Sequence, residues 1–151
     1  MELTLTGEYA IRVLVFVSEN IDRIGFQITE LALECGIPDQ YLRKIIPQLT
    51  KAGILVSQRG NGGGIKLAKS SDEISLLEVI EAIEGKIFLN KCLLSPDFCN
   101  RTSWCSVHCV WIEAQDKLKE VLANRSVKYL AEQNKLNRKK LTDLTLIREG
   151  G

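Results

Sequence analysis

The run Gln58-Arg59-Gly60-Asn61-Gly62-Gly63-Gly64 constrains the fold more than any other stretch of this chain. It separates two short apolar segments, Ile54-Leu55-Val56-Ser57 and Ile65-Lys66-Leu67-Ala68. Strand-like runs joined by glycines read as a β-hairpin. A phosphate-cradling loop would need a following helix and a Gly-Lys-Ser/Thr ending, and this loop leads into a strand.

The residues upstream give the hairpin its setting. Ala10, Val13, Leu14 and Val17 recur at helical spacing and predict a helix over Gly7 to Ser18. After a turn at Asn20 to Gly25, Thr29 is the expected cap of a short helix, Glu30 to Cys35, closed by Gly36. A second helix is expected from about Asp39 to Ala52, burying Leu42, Ile45, Ile46 and Leu49 and stopping at Gly53. Pro47 inside it predicts a kink or an early end. Two short helices around Gly36-Ile37-Pro38, followed by a hairpin, make a winged helix-turn-helix. The expected fold class is mainly α with this one small β-hairpin.

Charge supports a polyanionic partner. From Pro38 to Lys69 there are six Lys or Arg against one acid, although the whole chain carries only +1. The start of the second helix would reach base edges in a major groove, which nominates Gln40, Tyr41, Arg43 and Lys44. Gln can read adenine and Arg can read guanine. Tyr41 could equally pack in the core. Lys44, Lys51 and Lys66 suit phosphate contacts. Arg59, at the tip of the wing, suits a narrow minor groove.

A second feature lies downstream. Cys92, Cys99, Cys105, His108 and Cys109 fall within eighteen residues, and the chain has one other cysteine, Cys35, and no other histidine. Cys35 reads as a small buried apolar residue. The N-terminus, Met1-Glu2-Leu3-Thr4, shows no leader pattern and no stretch is long enough to span a membrane, so a cytoplasmic location is expected. Thiols there stay reduced, which favours metal binding or redox chemistry over disulfides. Zinc sites usually present close ligand pairs, and no Cys-x-x-Cys occurs here. Three separated thiolates on one loop suit an iron–sulfur cluster better than a single ion; a metal-free thiol sensor is the alternative.

Four segments are expected: a winged helix-turn-helix domain over 1–85, a cysteine-rich loop over 86–106, a long helix and short following helix over 107–133, and a polar tail over 134–151. Val107, Trp111, Ala114, Leu118 and Val121 form a narrow apolar seam that suits a partner helix. Ser75 to Glu84 and Val127 to Gln133 are further helices.

Leu5-Thr6-Gly7-Glu8-Tyr9-Ala10-Ile11-Arg12, the Ser57 to Ala68 wing and the Cys92/Cys99/Cys105 loop together resemble the bacterial winged-helix iron–sulfur transcription regulators that include IscR and NsrR. The resemblance covers about residues 1 to 133. It implies a homodimer with crossed long helices, bound to double-stranded promoter DNA, with Cys92, Cys99 and Cys105 as thiolate ligands of a 2Fe–2S or, alternatively, a 4Fe–4S cluster. For the fourth ligand it implies His108, or Glu8 of the partner subunit; Cys109, outside the family pattern, is a third candidate. Arg43 and Lys44 depart from IscR, so the operator is not expected to carry over.

The expected function is therefore a dimeric regulator, a repressor, whose DNA affinity follows a cluster that senses nitric oxide, redox state or iron status. The alternative is a cluster-free thiol switch or protein-interaction module. An enzyme is not expected, since one histidine beside cysteines, without paired carboxylates, gives little for catalysis.

Overall fold

The structure, a computed structural model, describes residues 3–149. Met1 and Glu2, part of the leader reading, and residues 150–151 of the expected tail lie outside it.

Helix α1 (Leu5–Glu19) starts at Thr4, whose Oγ1 accepts the Gly7 N–H at 3.3 Å. It buries Ala10, Val13, Leu14 and Val17 against α2 (Ile28–Cys35) and α3 (Asp39–Lys51). Leu14, Leu31, Leu42 and Leu49 are fully enclosed, and each such side chain contributes about 1.5–3 kcal/mol by leaving water. Helix α2 begins earlier than a Thr29 cap predicts. Its N-cap is Gln27, whose backbone N–H donates to Glu30 Oε2 at 3.4 Å. A carboxylate reaching back thus replaces the expected hydroxyl. Gly36 ends α2 with φ 62° and ψ 41°, the left-handed conformation that favours glycine. Helix α3 runs through Pro47 to Lys51 without the expected early end. Pro47 and Arg43, whose carbonyl loses its helical donor, both sit on the exposed face. Water can take the freed acceptor while Leu42, Ile45, Ile46 and Leu49 anchor the other side.

The wing is an antiparallel pair, β1 (Leu55–Gln58) and β2 (Gly64–Leu67), with Leu55 opposite Leu67 and Gln58 opposite Gly64. Phe26 adds a bridge on its other edge. Its N–H donates to the Ile65 carbonyl at 3.1 Å, and the Ile65 N–H donates to the Phe26 carbonyl at 2.8 Å. Helix α4 (Leu76–Glu84) is capped by Ser75 and packs on α1 and α3. The cysteine-rich stretch is irregular as expected, apart from two short 3-10 turns, Lys91–Leu93 and Pro96–Phe98.

Helix α5 (Ser106–Ala123) buries no residue fully. The expected seam divides: Trp111, Ala114 and Leu118 are half-buried, while Val107 and Val121 are 45% and 57% exposed. Helix α6 corrects the sequence reading. It is not a short helix ending at Gln133 before a polar tail but one helix, Val127–Glu149. No Gly or Pro interrupts residues 127–149, and Leu, Lys, Arg and Glu carry good helix propensity without needing an apolar stripe. Val127 and Ala131 are buried, α6 lies along α1, and Arg138 pairs with Glu19 at 3.0 Å. Among the described residues no helix is long and apolar enough to cross a membrane.

Candidate nucleic-acid interface and metal centre

The helix-turn-helix presents a basic face. Gln40, Arg43, Lys44 and Lys51 are exposed on α3, on the side opposite its buried leucines and isoleucines. Asp39, in the first turn of α3, pairs with Arg43 one turn later at 2.5 Å. Tyr41 stands differently. It is half-buried and meets Tyr9 edge to face, the contact that its packing reading describes. Arg59 is exposed at the wing tip, and half-buried Lys66 leans back to Gln58 Oε1 at 3.4 Å. The tip is tight: the Gly63 N–H donates to the Gly60 carbonyl at 3.0 Å. A Cβ on Gly63 would come within 2.5 Å of the Gln58 carbonyl oxygen, so this backbone admits no side chain.

The cysteine stretch forms a cavity of about 360 Å³ against the first turns of α5. Cys92 sits in the first 3-10 turn, Cys99 just after the second, and Cys105 at the N-cap of α5. His108 follows within the first turn, its N–H donating to the Cys105 carbonyl at 3.1 Å. All four line the one cavity. Cys109 is exposed and does not. Glu8 lines a different groove and pairs with Arg12 at 3.2 Å. Among the described residues, no three His, Cys, Asp or Glu side chains stand close enough to hold one metal ion. The donors therefore share a cavity without converging.

Two local features bear on what the cavity can take. His108 Nδ1 is buried with no hydrogen-bond partner, a costly arrangement unless something else uses its lone pair or proton. The N-terminal end of α5 also brings partial positive charge to the wall, as does Lys91. Thiolates and imidazole are the ligand types that iron–sulfur centres accept, so the donor set and the orphaned nitrogen fit such a group. Sequence reading did not single out Asn90, Lys91, Phe98 and Thr102, which also line the cavity, and it placed Val107 and Trp111 on the seam rather than here. Nor did it find Gln115, whose Oε1 accepts the Leu89 N–H at 3.1 Å and holds the start of the loop against α5. None of these positions carries a local sequence signal; they meet only when the loop folds back.

In the other thiol environment, burial pushes the Cys35 thiol up to about 11, despite the opposing pull of nearby Arg12. That keeps it neutral and inert, as the sequence suggests.

A helix-turn-helix with a basic second helix and an arginine-tipped wing defines a winged-helix DNA-binding regulator rather than an enzyme. Residues 3–133 match the Rrf2 family model, described as iron-dependent transcriptional regulator, and the chain belongs to that family. It is 30% identical over 124 residues to the HTH-type transcriptional regulator IscR of Cronobacter sakazakii, covering 82% of this chain and 76% of that one. Among solved structures it is similar to T. potens IscR, with a TM-score of 0.71 and 20% identity over 89% of this chain and 88% of the other. It is also similar to the oxidized form of Staphylococcus aureus CymR, with a TM-score of 0.67 and 26% identity over 87% and 97%.

Proposed function

We propose that the chain is a homodimeric repressor of promoter DNA whose affinity is set by an iron–sulfur cluster held by Cys92, Cys99 and Cys105, with His108 as the fourth ligand. The observation that carries this reading is that these four side chains line one cavity and His108 Nδ1 lies buried there without a partner. When bound, a 2Fe–2S or 4Fe–4S group would supply an inorganic core sensitive to redox state, nitric oxide and iron supply. The family and the IscR relatives support this reading.

The chain's own residues give the control a route. Cys105 caps α5, so ordering the loop bears directly on that helix. Lys119 of α5 reaches Glu81 of α4 at 4.0 Å, and Glu84 at the end of α4 accepts the Thr4 N–H at 3.2 Å at the start of α1. Helix α4 also packs on α3. A shift of α5 would thus be felt by the helix proposed to read bases through Gln40 and Arg43. Lys44, Lys51 and Lys66 would set register on phosphates, and Arg59 would enter the minor groove. The half-exposed Val107 and Val121 suit a second copy, placing two reading helices about 34 Å apart on one face of the duplex.

Protein purified without oxygen should contain iron and sulfide, absorb in the visible and give a cluster Mössbauer spectrum. Its promoter affinity should change when the iron is removed. Protein without iron, sulfide or visible colour after reconstitution would sink the cluster. Among the described residues the cavity's donors do not converge in threes, and this together with the likeness to the oxidized form of Staphylococcus aureus CymR favours the second reading, a thiol switch on the same scaffold. In that case DNA affinity follows peroxide and thiol reductant instead of iron.

A further inference from the structure

Asp39 opens α3, and Arg43 follows one turn later. The Arg43 Nε–H donates to Asp39 Oδ2 at 2.5 Å. Among the described residues, neither terminal amino group of Arg43 has a hydrogen-bond or ion-pair partner, and its side chain is 62% exposed. The carboxylate is held at its own end. Asp39 Oδ1 is enclosed and has no partner among the described residues. The turn that carries it is anchored by fully buried Leu42 and by Tyr41, packed on Tyr9. Stability does not account for this arrangement. A solvent-exposed ion pair adds little, and an enclosed carboxylate oxygen without a donor costs more than such a pair returns.

We propose that Asp39 is a positioning residue for base recognition: it holds the Arg43 guanidinium by its Nε edge, so that the two terminal amino groups meet O6 and N7 of one operator guanine. The inference rests on the reading of α3 as the base-reading helix. A guanidinium is a rigid planar fork. With Nε taken by the carboxylate, the amino pair points away from Asp39. Guanine is the base that offers two acceptors side by side on its major-groove edge. The carboxylate also offsets the arginine's charge. Arg43 then gains little from phosphates, which are alike in every sequence, and discriminates by hydrogen-bond geometry instead. An adenine at the same place would set its amino donor against the Arg43 donors.

The test is selection of duplexes from a randomised library by full-length protein purified without oxygen, followed by anisotropy titrations of the selected duplex and its single-base variants. Wild type should prefer guanine at one position by about tenfold or more. R43A should erase that preference there and leave the other positions unchanged. D39N should lower it by about threefold or more, since the arginine must now be ordered on binding. Binding of a random duplex should tighten in D39N, because a negative charge has left the interface. D39S should behave as D39N and covers the case that D39N fails to fold. In the R43A background D39N should change no base preference, because Asp39 acts through Arg43. Full guanine preference in D39N and D39S, a D39N effect that persists in R43A, or R43A weakening all duplexes alike, overturns the proposal and leaves a surface ion pair. Wild type that binds no duplex overturns the base-reading role of α3, and this inference with it.

Discussion

Tyr9 of α1 and Tyr41 of α3 meet edge to face, with ring centroids 5.1 Å apart and planes at 86°. Arg12 stacks on the same Tyr9 ring at 5.1 Å. The contact fixes the first turn of α3 to α1, next to the basic side chains that face outward. Tyr41→Ala should therefore cost about 1–3 kcal/mol, less than a fully buried aromatic because the ring is half-buried. A double-mutant cycle with Tyr9→Ala should return about 0.5–1.5 kcal/mol of coupling. Urea unfolding measures both, and a coupling near zero would mean the rings are neighbours without mutual support.

The cysteines are expected to divide sharply. Serine at Cys92, Cys99 or Cys105 should abolish visible absorption in anaerobic protein, while Cys109→Ser should keep it, because Cys109 lies outside the cavity. His108→Ala should retain colour but alter the spectrum and speed iron loss to a chelator. If Glu8→Ala does this and His108→Ala does not, the fourth ligand comes from the partner's α1.

The wing makes a prediction about salt. Arg59→Ala should weaken promoter binding and flatten the slope of log affinity against log salt by about one. Gly63→Ala forces its Cβ to within 2.5 Å of the Gln58 carbonyl oxygen. The tip must rearrange, and DNA affinity should fall by about tenfold or more as Arg59 is re-aimed. Mobility-shift titrations at several salt concentrations distinguish the two, since a displaced tip with its charge intact keeps more of the slope.

Cys35 gives an alkaline signature. Burial raises its thiol from 9.0 to about 11 in the folded chain. A group raised on folding stabilises the fold fully below its unfolded value and loses that contribution as pH climbs through the folded one. Stability should therefore decline between about pH 9 and 11. Cys35→Ala should remove that part of the decline, read from urea midpoints across the range. The thiol should also react with an aromatic disulfide reagent far more slowly than exposed Cys109 at pH 8.

Local periodicity made most of the scaffold legible. Ala10, Val13, Leu14 and Val17 are buried together, as are Leu42, Ile45, Ile46 and Leu49, because helical spacing reports one face regardless of what covers it. Ends were harder to place. Thr29 has the better cap chemistry, but Glu30 reaching back lets Gln27 start α2. The extent of α6 was illegible for another reason: a helix laid along α1 and tied by Arg138 to Glu19 needs no apolar stripe of its own beyond Ala131. In the cavity, the density of cysteines gave the donors. Trp111 and Asn90 come into it through tertiary folding, which one-dimensional spacing does not encode.

The Phe26–Ile65 bridge has a mechanical consequence. It joins the stem of the hairpin, one residue in from the tip-end pair Gln58–Gly64, to the residue just ahead of Gln27, the cap of α2, through a reciprocal pair of backbone bonds. The glycine tip can adapt to the duplex it meets, but the stem turns together with the helical pair as one rigid jaw. Whatever tilts that pair also swings Arg59, so the proposed major-groove and minor-groove grips would engage or release in step.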